Sequence, residues 1–205
     1  VIDPLYTLPF LVFLILAMQQ KKGSEKRRKY NNLGLAISTG YLLLALVLKG
    51  LAYTQFVDAL DKQEISYKRI EVRPAPLNTI LWTANVEVKS AYLIGDYSFF
   101  DEDGIIQFKA YPKNHDYLGK LKDNPKIQRL IDISNGWYTI TQKNGSLFFN
   151  DLRFGKLNPY QSNSYFVFSY KLIPTEGGLK VKETEKDPEA AKALLSDLWE
   201  RIKGN

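Results

Sequence analysis

Asp3 is the residue whose type and setting point most directly to chemistry. It stands immediately before Pro4, at the head of an apolar run that continues to Met18. A carboxylate beside a membrane helix is costly and often functional. Asp before proline is equally a favoured helix cap at a water interface, and the sequence leaves both readings open. Asp151 and Arg153 form a second candidate. Two residues apart on a strand, they point to the same face, as a structural ion pair or as a ligand clamp.

The other reactive types carry less. His115 is the only histidine, with Asp116 and Asp123 nearby. A zinc hydrolase normally needs two or three histidines with carboxylates, so His115 reads as a surface loop residue. Asp101-Glu102-Asp103-Gly104 lacks the spacing and distal Glu of a calcium loop and reads as a hairpin turn. Asn144-Gly145-Ser146 fits a glycosylation sequon, but Asn-Gly is first a turn signal. There is no cysteine, which excludes disulfides, thiolate ligands and a cysteine nucleophile. No nucleophile elbow, P-loop or dinucleotide-binding glycine pattern occurs. Trp82, Trp137 and the aromatic residues of 165–170 alternate at strand period and read as core.

The elements that must position these residues divide the 205-residue chain in two. Residues 1–52 hold two apolar runs, to Met18 and from Leu33 to Leu51, around a basic knot at 20–30. The knot has six Lys/Arg and one Glu, so it carries +5 of the net +6 and leaves the rest nearly neutral. That localisation argues against a nucleic-acid-binding surface and for a membrane topology signal. The reading is a transmembrane helical hairpin. Its first helix is slightly short of the roughly 20 residues that a bilayer core needs, and Pro9 is tolerable in a membrane. Gly34, Ala36, Ser38, Gly40 and Ala45 suit close helix contact. The basic loop belongs in the cytoplasm, so both outer ends are extracytoplasmic.

Residues 53–205 read as an extracytoplasmic α+β domain, an antiparallel sheet with a few covering helices. Residues 53–64 continue the second helix as a stalk, with Tyr53 at the interface. Strands are expected over 66–72, 79–87, 91–98, 105–109, 137–142, 147–152 and 165–172, with an edge strand near 179–181. The strand at 165–172 is expected to be covered on both faces. Asn124-Pro125 opens one helix that Asn135-Gly136 stops. A last helix is expected over 187–203, with Ala190, Leu194, Leu195, Leu198 and Ile202 buried.

Val1-Ile2-Asp3-Pro4-Leu5-Tyr6-Thr7-Leu8-Pro9, the basic knot, the second apolar helix and a sheet domain with Asp151-Leu152-Arg153-Phe154-Gly155 follow one another here. In that order they resemble the C-terminal part of the YdjM-like family, bacterial inner-membrane proteins classed as metal-dependent hydrolases. The resemblance spans most of the chain, and its opening motif is the specific part. It implies a multi-pass protein of the bacterial inner membrane that uses a divalent metal ion, zinc being the expectation. The family's His and Asp motifs lie on earlier membrane segments, so Asp3 alone carries over, as a metal ligand or a group orienting one. The chain begins with Val inside an apolar run, which suggests a C-terminal portion, catalytically incomplete by itself. The expected partners are membrane lipid and upstream transmembrane helices of the same protein. The alternative is a non-enzymatic, membrane-anchored domain that binds a ligand or partner.

Overall fold

The computed structural model describes residues 3–157, 165–185 and 196–204. Helix α1 spans Pro4–Met18 and helix α2 spans Glu25–Lys62. Asp3 caps α1, its side chain accepting from the Leu5 amide, and Pro4 takes the first-turn position where no amide is needed. Ser24 caps α2 through the Arg27 amide, with Glu25 in the first turn complementing the helix dipole. The expected loop at 20–30 is therefore shorter. Lys26, Arg27, Arg28 and Lys29 stand on the first turns of α2, because Ser24 and Glu25 are start signals that act before the apolar run begins.

The two helices run antiparallel. Asp3 and Tyr6 of α1 meet Tyr41 of α2, and Phe13 meets Gly34. A Cβ on Gly34 would lie 3.0 Å from the Phe13 Cβ, so glycine permits the approach. Gly34 and Ser38 are buried in this seam, whereas Ala36 and Gly40 face outward. Among the described residues α2 alone is long and apolar enough to cross a membrane; α1 is a shorter apolar helix.

In place of one sheet there are two, each four-stranded and antiparallel. Sheet one is β1 (Arg69–Pro74), β2 (Leu81–Glu87), β3 (Ala91–Ser98) and β4 (Lys109–Pro112), in that order. It packs on the upper part of α2, where Ala52, Phe56, Ala59 and Leu60 meet Val72, Trp82, Ala84 and Val86. The strand expected at 105–109 is displaced to 109–112. Ile106 is drawn into this core, and the Gln63 amide donates to its carbonyl at 2.9 Å. Gly95 lets Phe108 lie across β3, since a Cβ there would come within 2.8 Å of the ring.

Sheet two is β5 (Tyr138–Lys143), β6 (Ser146–Leu157), β7 (Tyr165–Thr175) and β8 (Gly178–Glu183). Asn144 and Gly145, both at positive φ, make the β5–β6 turn. Helix α3 (Pro125–Ile133) buries Ile127 and Leu130 against Ile140, Phe149, Leu172 and Leu179. A 3-10 segment, His115–Asp123, precedes it, kinked at Gly119. β7 is interior in its sheet, and no residue of 165–172 is exposed: Phe166, Ser169 and Leu172 are buried and their neighbours half-buried.

The sheets meet around Tyr92, Trp137, Leu152 and Phe166. Buried Asn85 donates to the Leu152 carbonyl at 3.1 Å, and the Tyr92 hydroxyl to that of Gly136 at 2.8 Å. Residues 196–202 are helical, and Leu198 and Ile202 pack on Ala75 and Leu81. Ala190, Leu194 and Leu195, expected on the same helix, lie outside the described residues.

Candidate functional site

Asp3 is 5% exposed, and both of its carboxylate oxygens are engaged. Oδ1 accepts from the Leu5 amide at 2.9 Å, and Oδ2 accepts from the Tyr41 hydroxyl at 2.5 Å. The Tyr41 oxygen also lies 3.2 Å from Thr79 Oγ1, in the turn between β1 and β2. The cap reading of Asp3 is thus what the geometry displays. The same carboxylate is also the centre of a polar node that joins α1, α2 and the sheet domain. Asp3 does not sit at the outer rim of the apolar stretch, as a cap at the water interface would. It lies abreast of Tyr41, with exposed Leu42, Leu43, Leu46, Val47 and Leu51 of α2 extending beyond it.

The node does not fit a metal ion by itself. Tyr41 and Thr79 are its polar side chains, and neither is a histidine or carboxylate. Among the described residues no group of three or more His, Asp or Glu side chains is placed to hold one.

Asp151 and Arg153 do come together. Arg153 Nε lies 3.1 and 3.2 Å from the two Asp151 oxygens and Nη2 lies 2.7 Å from Oδ2, while the Arg153 amide donates to Oδ1 at 2.9 Å. This bidentate pair leaves the carboxylate little free capacity. It sits where β6 loses register with β7, between Asp151 and Lys156, with Gly155 at positive φ. Across the sheet junction are Arg73 and Glu71 of β1, 3.7 Å apart. Burial, with Arg153 close by, pulls the Arg73 guanidinium below its ordinary value. Two arginines and two carboxylates balance here, which favours a structural ion-pair cluster over a clamp.

His115 is not a loop surface residue. It is half-buried in the 3-10 segment and stacks on Tyr138 at 4.0 Å between ring centroids. Its Nε2 donates to the Tyr138 carbonyl at 3.0 Å. Burial, with Lys113 and Lys122 nearby, lowers its pKa. Burial pushes the Glu87 carboxyl up, but the Lys113 ammonium at 2.9 Å, with Arg69 and Lys68, more than offsets this and holds it low.

Asp101, expected in a plain hairpin turn, is a clasp. Its two oxygens take Arg201 Nη1 and Nη2 at 2.5 and 2.8 Å, and Oδ2 also accepts the Ser98 amide. Arg201 Nη2 reaches the Asp96 carbonyl, and the Ser98 hydroxyl donates to that of Ile202 at 2.6 Å. Burial raises the pKa of Asp96, whose carboxylate accepts from the Thr83 hydroxyl. These links hold the C-terminal helical turn to the end of β3. Sequence reasoning missed Tyr41, Thr79 and Arg201. Tyr41 carried a signal, a polar ring within an apolar run; the other two carried none.

No protein-family model, curated protein or solved structure matches the chain.

Proposed function

We propose that this chain is a membrane-anchored module in which α1 and α2 form a transmembrane hairpin carrying an extracytoplasmic two-sheet domain that binds a ligand or partner. One observation supports this reading above the rest. The apolar window of α2 is only 11% buried, yet the same unbroken helix supplies Phe56 and Leu60 to the core of sheet one. The core helix of a water-soluble domain buries its apolar side chains, whereas a lipid-facing one displays them. On α1, Leu5, Leu8 and Met18 are likewise 59–68% exposed.

The exposed cations Lys21, Lys22, Lys26, Arg28 and Lys29 favour a cytoplasmic turn between the helices. A topology reporter fused after Asn205 is expected to be active outside the cytoplasm. Activity inside would overturn the orientation.

The hydrolase reading suggested by the YdjM-like resemblance rests on one feature, the buried Asp3 carboxylate beside an apolar helix stretch. It needs ligands that the described residues do not supply. Two variants separate it from a structural role. Asp3→Ala removes the cap and strands the Tyr41 hydroxyl, at a cost of about 1–3 kcal/mol. Asp3→Asn keeps a side-chain oxygen for the Leu5 amide, and its Nδ2 can donate to the Tyr41 oxygen while the Tyr41 hydroxyl donates to Thr79, so it is expected to restore most of the stability. If Asp3 is only a node, Asn also leaves the metal content of the membrane-purified protein unchanged. A fall in bound metal with Asn, at retained stability, would favour the hydrolase.

A further inference from the structure

The sheet domain and α1 stand on the same face of α2, one above the other. Gly34 and Ser38 face α1; Leu48, Ala52, Phe56 and Ala59 face the sheet; Tyr41 touches both. The 15 residues of α1 rise about 22 Å, about 8 Å short of a hydrocarbon core of roughly 30 Å. The next thing on that face is the 75–80 turn. On the opposite face α2 goes on displaying leucine and valine to Leu51, about 15 Å beyond Tyr41. The turn therefore lies level with the apolar stretch, not above it.

The turn is built for little water. Pro74 and Pro76 have no amide hydrogen. Asn78, 7% exposed, accepts from the amides of Ile80 and Leu81 at 2.9 and 2.7 Å and donates to the Pro76 carbonyl. The Trp82 indole donates to the Thr79 carbonyl, and the Ala75 amide to that of Leu81. At its tip Leu77 holds φ +65°, unusual for leucine, and presents its side chain 43% exposed. Around the same small cluster of Ala75, Leu81 and Ile202 stand two more exposed apolar residues. Trp199, 60% exposed, lies on the helical turn that supplies Leu198 and Ile202. Phe100, 57% exposed, follows Ser98 and packs its backbone against Gly204. Lys203 Nζ lies 5.8 Å from the Trp199 ring.

We propose that Leu77, Phe100 and Trp199 form a membrane-docking rim that seats the sheet domain in the headgroup region of the bilayer. The occupant is phospholipid. Tryptophan and lysine are both favoured anchors at that depth, and the turn that carries Leu77 is tied through Thr79 to Tyr41, level with the exposed leucines of α2. This inference rests on the reading that α2 spans the bilayer.

The full chain in phosphatidylcholine–phosphatidylglycerol vesicles tests it. Of three tryptophans, Trp82 and Trp137 are 2% and 1% exposed, so the accessible emission belongs to Trp199. Lipid spin-labelled close to the headgroup should quench that emission, and Trp199→Phe should abolish the quenchable part. The chain has no cysteine, so Leu77→Cys and Leu44→Cys can each carry one environment-sensitive dye. Leu77 is expected to respond to the shallow spin label, and Leu44 to a label deep in the acyl chains. If Leu44 responds while Trp199 and Leu77 stay open to aqueous iodide, α2 spans but the docking rim is refuted. If Trp199 is shielded from both iodide and lipid, a protein surface covers it and the proposal also falls. If Leu44 itself meets water, the membrane-spanning reading fails first.

Discussion

Below Tyr41, α2 meets another helix through Gly34 and Ser38; above it, α2 meets a sheet through Ala52, Phe56 and Ala59. Both sets belong to one stripe at steps of three and four residues, Gly34, Ser38, Tyr41, Ala45, Leu48, Ala52, Phe56 and Ala59. What differs is the opposite face. Beside the lower stretch it is apolar, with Leu33, Leu35 and Ile37 at 37–51% exposure, and it stays so past Tyr41 through Leu42, Leu43 and Leu46. Beside the upper stretch it turns polar at Thr54, Gln55, Asp58 and Asp61. On the membrane-spanning reading proposed above, the seam tells what the helix packs against, and the far face tells which solvent surrounds it. In lipid, helix contact relies on small residues and close approach; in water, burial of large apolar side chains drives it.

The sharpest way to break this comparison is to truncate one side chain in the buried seam of α2 and one on its exposed apolar face. Phe56→Ala, at 0% exposure, should cost about 3–5 kcal/mol of unfolding free energy. Leu46→Ala, at 65% exposure, should change it by less than about 0.5 kcal/mol. Denaturation in detergent micelles, followed through buried Trp82, reads both. Equal costs would mean that Leu46 is covered by protein. A smaller effect is expected at the lower seam. Gly34→Leu forces α1 away at Phe13 and should cost about 1–3 kcal/mol, while leaving the sheet-one signal of Trp82 intact. Loss of that signal would show that the two seams fold as one unit.

The smallest effect concerns pH and should belong to the water-side part. His115 is buried against Tyr138, which stacks in turn on Phe149, and its folded pKa is lowered. Below about pH 6.5 the unfolded chain binds a proton there more readily than the folded one. Stability contributed by His115 is therefore present above that pH and lost as pH falls, at no more than about 1.4 kcal/mol per pH unit. His115→Gln keeps a donor for the Tyr138 carbonyl and removes the titrating ring. Its stability profile should be flatter below pH 6.5; an unchanged acid limb would place the titration elsewhere.

What could be read from sequence was local chemistry. Asp3-Pro4, Asn124-Pro125 and Asn144-Gly145 stand at two helix starts and a hairpin turn, because caps and turns depend on residues a few positions apart. The α+β class and most strands followed from periodicity. The division into two sheets did not, since it depends on which strands leave their edges unpaired. The displacement of β4 was hidden because Ile105-Ile106 alternates plausibly while Ile106 is claimed by the core under α2. The polar node and the clasp were out of reach. Tyr41 is 38 residues from both Asp3 and Thr79, and Arg201 is 100 from Asp101. Asp151–Arg153 was legible as a pair because its partners are two apart; its four-charge setting with Arg73 and Glu71 was not.

The unbroken course of α2 from Glu25 to Lys62 has a mechanical consequence. A helix turns by about 100° and rises about 1.5 Å for every residue. The domain is therefore indexed to the basic end of α2 by a count of residues, with no hinge to absorb a miscount. One residue inserted between Lys49 and Gly50 would swing the sheets a quarter-turn around the rod. Thr79 would then point away from Tyr41, and whatever faced the domain before would find a different side of it.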